Sequence, residues 1–123
     1  MQEKKKILVI EDSVPSAQLM VSFLEHEGFD VQVAKSVKEA FQKMDESRPD
    51  LILLDLNMPG LSGYDFLRMR HEREDETIPV IIVSAYDSHD SMHLSRELGA
   101  VEFIAKPVSF EILRKKIRQF IGI

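Results

Sequence analysis

Leu51-Ile52-Leu53-Leu54-Asp55-Leu56-Asn57-Met58-Pro59-Gly60 opens on four consecutive apolar residues and ends the run on a carboxylate. A strand with one wet face alternates. An unbroken apolar run suits a strand buried on both faces, and so a parallel sheet covered by helices. Three further runs stand around it: Ile7-Leu8-Val9-Ile10, Val80-Ile81-Ile82-Val83 and Val101-Glu102-Phe103-Ile104-Ala105. The first two are continuous as well. Phe29 to Ala34 alternates instead, at Phe29, Val31 and Val33, and reads as an edge strand.

Helical periods fill the gaps. Residues 13–27 put Ser16, Leu19, Met20, Phe23 and Leu24 on one face, and residues 37–47 group Val37, Ala40, Phe41 and Met44. Residues 63–72 carry Tyr64, Phe66, Leu67 and Met69; residues 110–121 carry Phe110, Leu113, Ile117, Phe120 and Ile121. Residues 88–98, with Met92, Leu94 and Leu98, are the weakest of the five. Ser36-Val37-Lys38-Glu39 and the pair Ser62, Asp65 read as capping boxes. Gly28 and Gly99 stand at expected helix ends, and Pro49 and Pro79 bar helix continuation before strands. The order is therefore (βα) five times. With right-handed crossovers this predicts a doubly wound α/β fold with a five-stranded parallel sheet. The polar stretch His71 to Thr77 is the one loose segment expected.

Composition bounds the rest. A chain of 123 residues is one domain, 1–123, and 44% hydrophobic residues suffice for a core. A net charge of −5 argues against gripping nucleic acid directly, since phosphate contacts need a basic face. Without cysteine there are no disulfides, thiolate metal sites or cysteine nucleophiles. Apolar runs of four residues do not cross a bilayer, and the charged start Met1-Gln2-Glu3-Lys4-Lys5-Lys6 is no secretory signal. The expectation is a soluble cytoplasmic domain without membrane insertion.

Open parallel sheets carry their chemistry beyond the carboxyl ends of the strands. Glu11 and Asp12 follow the first strand, Asp55 the third; Ser84 ends the fourth, and Lys106, followed by Pro107, the fifth. Singly, each is ordinarily a helix cap, a turn residue or a solvated charge. Jointly they are different, because three converging carboxylates repel one another. A hard divalent cation relieves that repulsion, and all-oxygen ligands favour Mg2+ over zinc. A carboxylate can also act as a nucleophile and form an aspartyl phosphate. The Ser84 hydroxyl and Lys106 ammonium would then meet phosphoryl oxygens. A glycine-rich phosphate loop is absent from the sequence. His89 and His93 have the i, i+4 spacing of metal ligands, but without a third ligand they read as a solvated surface facing a partner.

The set Glu11-Asp12, Leu53 to Gly60, Ser84-Ala85 and Lys106-Pro107 resembles the receiver domain of two-component response regulators over essentially the whole chain. The resemblance implies a flavodoxin-like sheet of order 2-1-3-4-5, an order known for this family. It implies that Asp55 is the phosphoacceptor, that Glu11 and Asp12 with Asp55 bind Mg2+, and that Asn57 offers its backbone carbonyl to the ion. Ser84 and Lys106 would contact the phosphoryl group. Ser84 stands where threonine is commoner, and Phe103 at the aromatic switch position where tyrosine is frequent. Tyr86 and Asn57 occupy positions that affect loss of the phosphoryl group. Lys106-Pro107 is expected to be a cis peptide.

The implied function is a phosphorylation-controlled switch rather than an enzyme in the ordinary sense. A sensor histidine kinase or histidine phosphotransfer protein donates to Asp55, and an effector protein or domain reads the face built from the fourth helix, fifth strand and fifth helix. Two other classes fit the residues less well. A haloacid-dehalogenase-type phosphatase wants a second acid two residues after the nucleophile, where this chain has Asn57, and it wants a cap domain. A flavodoxin-like cofactor protein wants a Ser/Thr/Gly-rich loop where Glu11-Asp12-Ser13 stands. A phosphorylation-independent relative is disfavoured by the intact acids. The domain is expected either to act alone through partner binding or to be the receiver of a longer regulator.

Overall fold

In the computed structural model, residues 3–73 and 77–122 are described. The start of the charged leader and the centre of the 71–77 loop therefore lie outside the described residues. Five strands and five helices alternate among those described: β1 (Lys6–Ile10), α1 (Val14–His26), β2 (Asp30–Ala34), α2 (Val37–Glu46), β3 (Leu51–Leu54), α3 (Gly63–Arg70), β4 (Val80–Ser84), α4 (His89–Glu97), β5 (Glu102–Ala105) and α5 (Phe110–Ile121). The strands form one parallel sheet in the order β2-β1-β3-β4-β5.

The continuous runs are buried residue by residue. Leu51 to Leu54 and Val80 to Ser84 are buried throughout, whereas β2 alternates, as an edge strand does. Successive strand residues point to opposite faces, so the sheet makes two cores. Leu8, Ile10, Ile52, Leu54 and Ile82 face Val37, Ala40, Phe66 and Leu67; Ile7, Val9, Leu53, Ile81 and Val83 face Met20, Leu24, Leu113 and Ile117. Each fully buried aliphatic side chain contributes about 1.5–3 kcal/mol.

The helix starts follow serine caps. Ser13, Ser36, Ser62, Ser88 and Ser109 each accept a backbone N–H from the first turn. At Ser62 the box closes reciprocally with Asp65. Gly28 and Gly99, just past α1 and α4, take φ of 96° and 107°, which side chains rarely adopt.

Two inward positions differ from the periodic reading. Leu19 is 64% exposed, because Ala17, Met20 and Leu24 form the buried stripe of α1 and leave Leu19 on its flank. Met69 is exposed and Arg70 is buried in its place, beside Phe66 and Leu67. The start of the 71–77 stretch is also anchored: Arg73 pairs with Asp45 and lies over the Phe41 ring.

Candidate functional site

The carboxyl edge of the sheet gathers the predicted residues through register. Ile10 pairs with Leu54, so Glu11 and Asp55 leave neighbouring strands side by side; Asp55 N–H donates to the Ile10 carbonyl at 3.0 Å. Ser84 pairs with Ala105, and Lys106 N–H donates to the Ser84 carbonyl at 3.0 Å. The Lys106–Pro107 peptide is cis, as expected.

Glu11, Asp55 and Ser84 are buried, at 6%, 8% and 0% exposure. Lys106 Nζ reaches back over the edge to Glu11 Oε1 at 2.5 Å and Asp55 Oδ2 at 3.5 Å. The other oxygens are met by backbone: Ser13 N–H donates to Glu11 Oε2 and Asn57 N–H to Asp55 Oδ1. Ser84 Oγ accepts the Tyr86 N–H at 3.1 Å. Asp12 is half-buried, and Glu11, Asp12 and Asp55 each offer an oxygen within 4.8 Å of the others.

Charge is unbalanced here. Burial pushes the Glu11 carboxyl above its ordinary range; the Lys106 hydrogen bond opposes this and Asp55 adds to it. For Lys106 burial acts downward, but the Glu11 hydrogen bond and the two carboxylate charges outweigh it, so the ammonium is held above its usual range. Three carboxylates gather here, and one ammonium meets two of them, Glu11 and Asp55. The remaining excess of oxygen-only negative charge fits a hard divalent cation better than zinc.

Phe103 is 9% exposed and packs in the core under α2 to α4, so its ring points inward. Asn57 stands exposed beside Asp55, and Tyr86 stands exposed beside Ser84. His93 faces Glu97 at 2.9 Å, and among the described residues the acid trio is the one metal-capable group. A cavity of about 300 Å3 opens next to Lys106 and Asp55, between α1 and α5, and Leu19 lines it.

Sequence reasoning missed Gly63. A Cβ there would lie 2.7 Å from the Asp55 carbonyl oxygen and 2.8 Å from Leu56 Cα. Only hydrogen lets the start of α3 close over the end of β3, where Gly63 N–H donates to the Leu56 carbonyl. A glycine directly after the Ser62 cap was the available signal.

Comparison with known proteins agrees with this geometry. The family described as response regulator receiver domain matches residues 7–118. Sporulation initiation phosphotransferase F of Bacillus subtilis is 33% identical over 117 residues, 95% of this chain and 94% of that one. The DNA-binding response regulator MtrA of Mycobacterium tuberculosis is 34% identical over 115 residues; the chain spans 50% of its length. Among solved structures, the Vibrio cholerae chemotaxis protein CheY4 superposes with a TM-score of 0.90 at 26% identity, covering 96% and 99% of the two chains. The receiver domain of Francisella response regulator 1452 gives 0.89 at 30% identity, covering 96% and 97%.

Proposed function

The chain belongs to the response regulator receiver domains, signalling switches phosphorylated on aspartate, and from that premise we propose that its phosphoacceptor is Asp55. The observation that carries this is the Lys106 ammonium held 3.5 Å from Asp55 Oδ2, beside two more carboxylates at one sheet edge. In the transfer, an Asp55 oxygen forms the new O–P bond while the donor's N–P bond breaks, and the electron pair stays on the donor imidazole. Lys106 stabilises charge on one phosphoryl oxygen. Ser84, whose hydroxyl already accepts the Tyr86 N–H, donates to another. Glu11, Asp12 and Asp55, with the Asn57 carbonyl, would hold Mg2+. When bound, the ion neutralises charge on the phosphoryl oxygens.

The donor in this reading is a histidine kinase or histidine phosphotransfer protein, and the output is altered binding to an effector. The responding face is α4, β5 and α5, with Ser84 and Phe103 linking it to the site. Its support is local. Residues 85–90 are all exposed, and α4 buries Ser95 alone among the described residues. Glu102 on β5 faces Arg96 of α4 and Lys116 of α5. Few buried contacts mean low local stability, the property of a switching element. No helix among the described residues is long and apolar enough to cross a membrane, and a cytoplasmic place accompanies this function.

Acetyl phosphate with Mg2+ should add one phosphoryl group to the wild-type chain and none to Asp55→Asn, read by intact mass. Labelling retained in the variant would overturn the assignment.

A further inference from the structure

Arg70, in the last turn of α3, is 2% exposed. A cation is seldom buried so completely unless its charge is met. Nη1 donates to the Ile78 carbonyl at 2.8 Å and Nη2 to the Gly99 carbonyl at 3.0 Å. The next residue, His71, places Nε2 2.9 Å from the Leu98 carbonyl. A carbonyl only accepts, so that nitrogen carries the proton. Leu98 is the C-cap of α4 and Gly99 the residue beyond it. The last carbonyls of a helix lack intrahelical partners and carry the negative end of its dipole, so donors and positive charge are favoured there. Two successive side chains at the end of α3, Arg70 and its C-cap His71, thus hold two successive carbonyls at the end of α4. Gly99 serves the arrangement twice: its φ is +107°, and a Cβ would stand 2.9 Å from Arg70 Nη2.

The opposite end of α4 is tied mainly to itself. Ser88 Oγ accepts the Ser91 N–H and donates to Ser91 Oγ, both at 3.1 Å. The 85–90 stretch leading into and starting the helix is exposed. Resting on the receiver reading above, we propose that Arg70 and His71 are a fixed pivot for α4. Signalling then swings the N-terminal end, Ser88 to Met92, about Leu98 and Gly99, and a partner meets a surface remodelled at that end only. Arg70 acts here as a positioning residue, near the amino ends of β4 and β5 and away from the acids at the carboxyl ends of the strands.

Amide hydrogen exchange, resolved by residue with NMR, tests this on the free protein. In the wild type, Leu98, Gly99 and Ala100 should exchange at least tenfold more slowly than Met92, His93 and Leu94. Arg70→Met should speed the first group tenfold or more relative to Ile81 and Ile82, which report overall stability. His71→Ala, on the surface, should speed the same group by a smaller factor and serves if Arg70→Met does not fold. Absence of the wild-type contrast, unchanged exchange of Leu98, Gly99 and Ala100 in the variants, or a uniform acceleration that includes Ile81 and Ile82 would each overturn the pivot. A second arm adds beryllofluoride, a phosphoryl mimic. Shifts at residues 88–92 with residues 98–100 still would support the pivot, and equal shifts would overturn it. If beryllofluoride leaves the Asp55 and Lys106 amides unmoved, the receiver reading fails, while the exchange contrast still decides whether the clamp anchors α4.

Discussion

At the scale of single residues, the site depends as much on what is missing as on what is charged. Gly63 is the clearest case. Its hydrogen lies against the Asp55 carbonyl and Leu56 Cα, both backbone and neither able to turn aside. Gly63→Ala should therefore push α3 off the end of β3 and displace the Asp55 carboxylate. Overpacking of this kind costs about 1–3 kcal/mol, so the urea midpoint should fall and the rate of phosphorylation by acetyl phosphate should fall with it. A variant with unchanged midpoint and rate would show that the contact relaxes freely. Arg70 makes the complementary point about charge. Its long side chain fills an inward position that the apolar period assigned to Met69, and it does so because carbonyls wait at the far end.

Helices and strands were legible to the extent that burial is one-sided or complete. The unbroken runs Leu51 to Leu54 and Val80 to Val83 could be read directly, because a strand covered on both faces has no room for polar residues. Glu11, Asp55 and Ser84 were legible because each ends such a run, and Lys106 because it follows the fifth strand. What could not be read was which flank of a helix meets its neighbour, and Leu19 shows why: it lies on the edge of the stripe, where the distance to α5 decides exposure. Nor did single-element patterns reveal the joint between α1 and α5. Phe23 stacks on Phe110 at 4.5 Å, and Arg114 of α5 pairs with Glu27, its Nε 2.6 Å from Oε1. The Arg114 hydrogen bond holds the Glu27 carboxyl below its ordinary value of 4.5, against a smaller opposing effect of burial. A lowered acid stabilises the fold above its unfolded value and loses that contribution as pH falls through the folded one. Glu27→Gln should accordingly melt below the wild type at pH 7, and the gap should begin to close as pH drops past 4.5 and vanish once Glu27 is protonated. A gap of constant size across that range would remove the ion pair from the account of this joint.

At the scale of the whole molecule, the two cores leave the carboxyl edge of the sheet as the place where charge collects. Helices cover the faces, but the strand ends carry Glu11 and Asp55, nearly buried, with Asp12 beside them. One ammonium, Lys106, faces Glu11 and Asp55. Such a site works against the fold that holds it, since like charges at short range repel and burial raises the cost. Removing one charge should then stabilise the metal-free protein. Asp12→Asn keeps the shape and should gain about 0.5–2 kcal/mol in urea unfolding with chelator present, the usual size of a single stabilising substitution. Mg2+ should shrink that lead or invert it. A ligand that binds only the folded state at a hundred times its Kd adds about 2.7 kcal/mol, and the wild type should gain it in full. Asp12→Asn should bind more than tenfold more weakly, a difference of about 1.4 kcal/mol, and gain correspondingly less at the same Mg2+ concentration. The measurement is a pair of unfolding curves for each protein, with chelator and with Mg2+. If Asp12→Asn is the less stable protein in chelator, the acids are not in conflict with the fold. If Mg2+ stabilises both proteins equally, Asp12 is not among the groups that hold the ion.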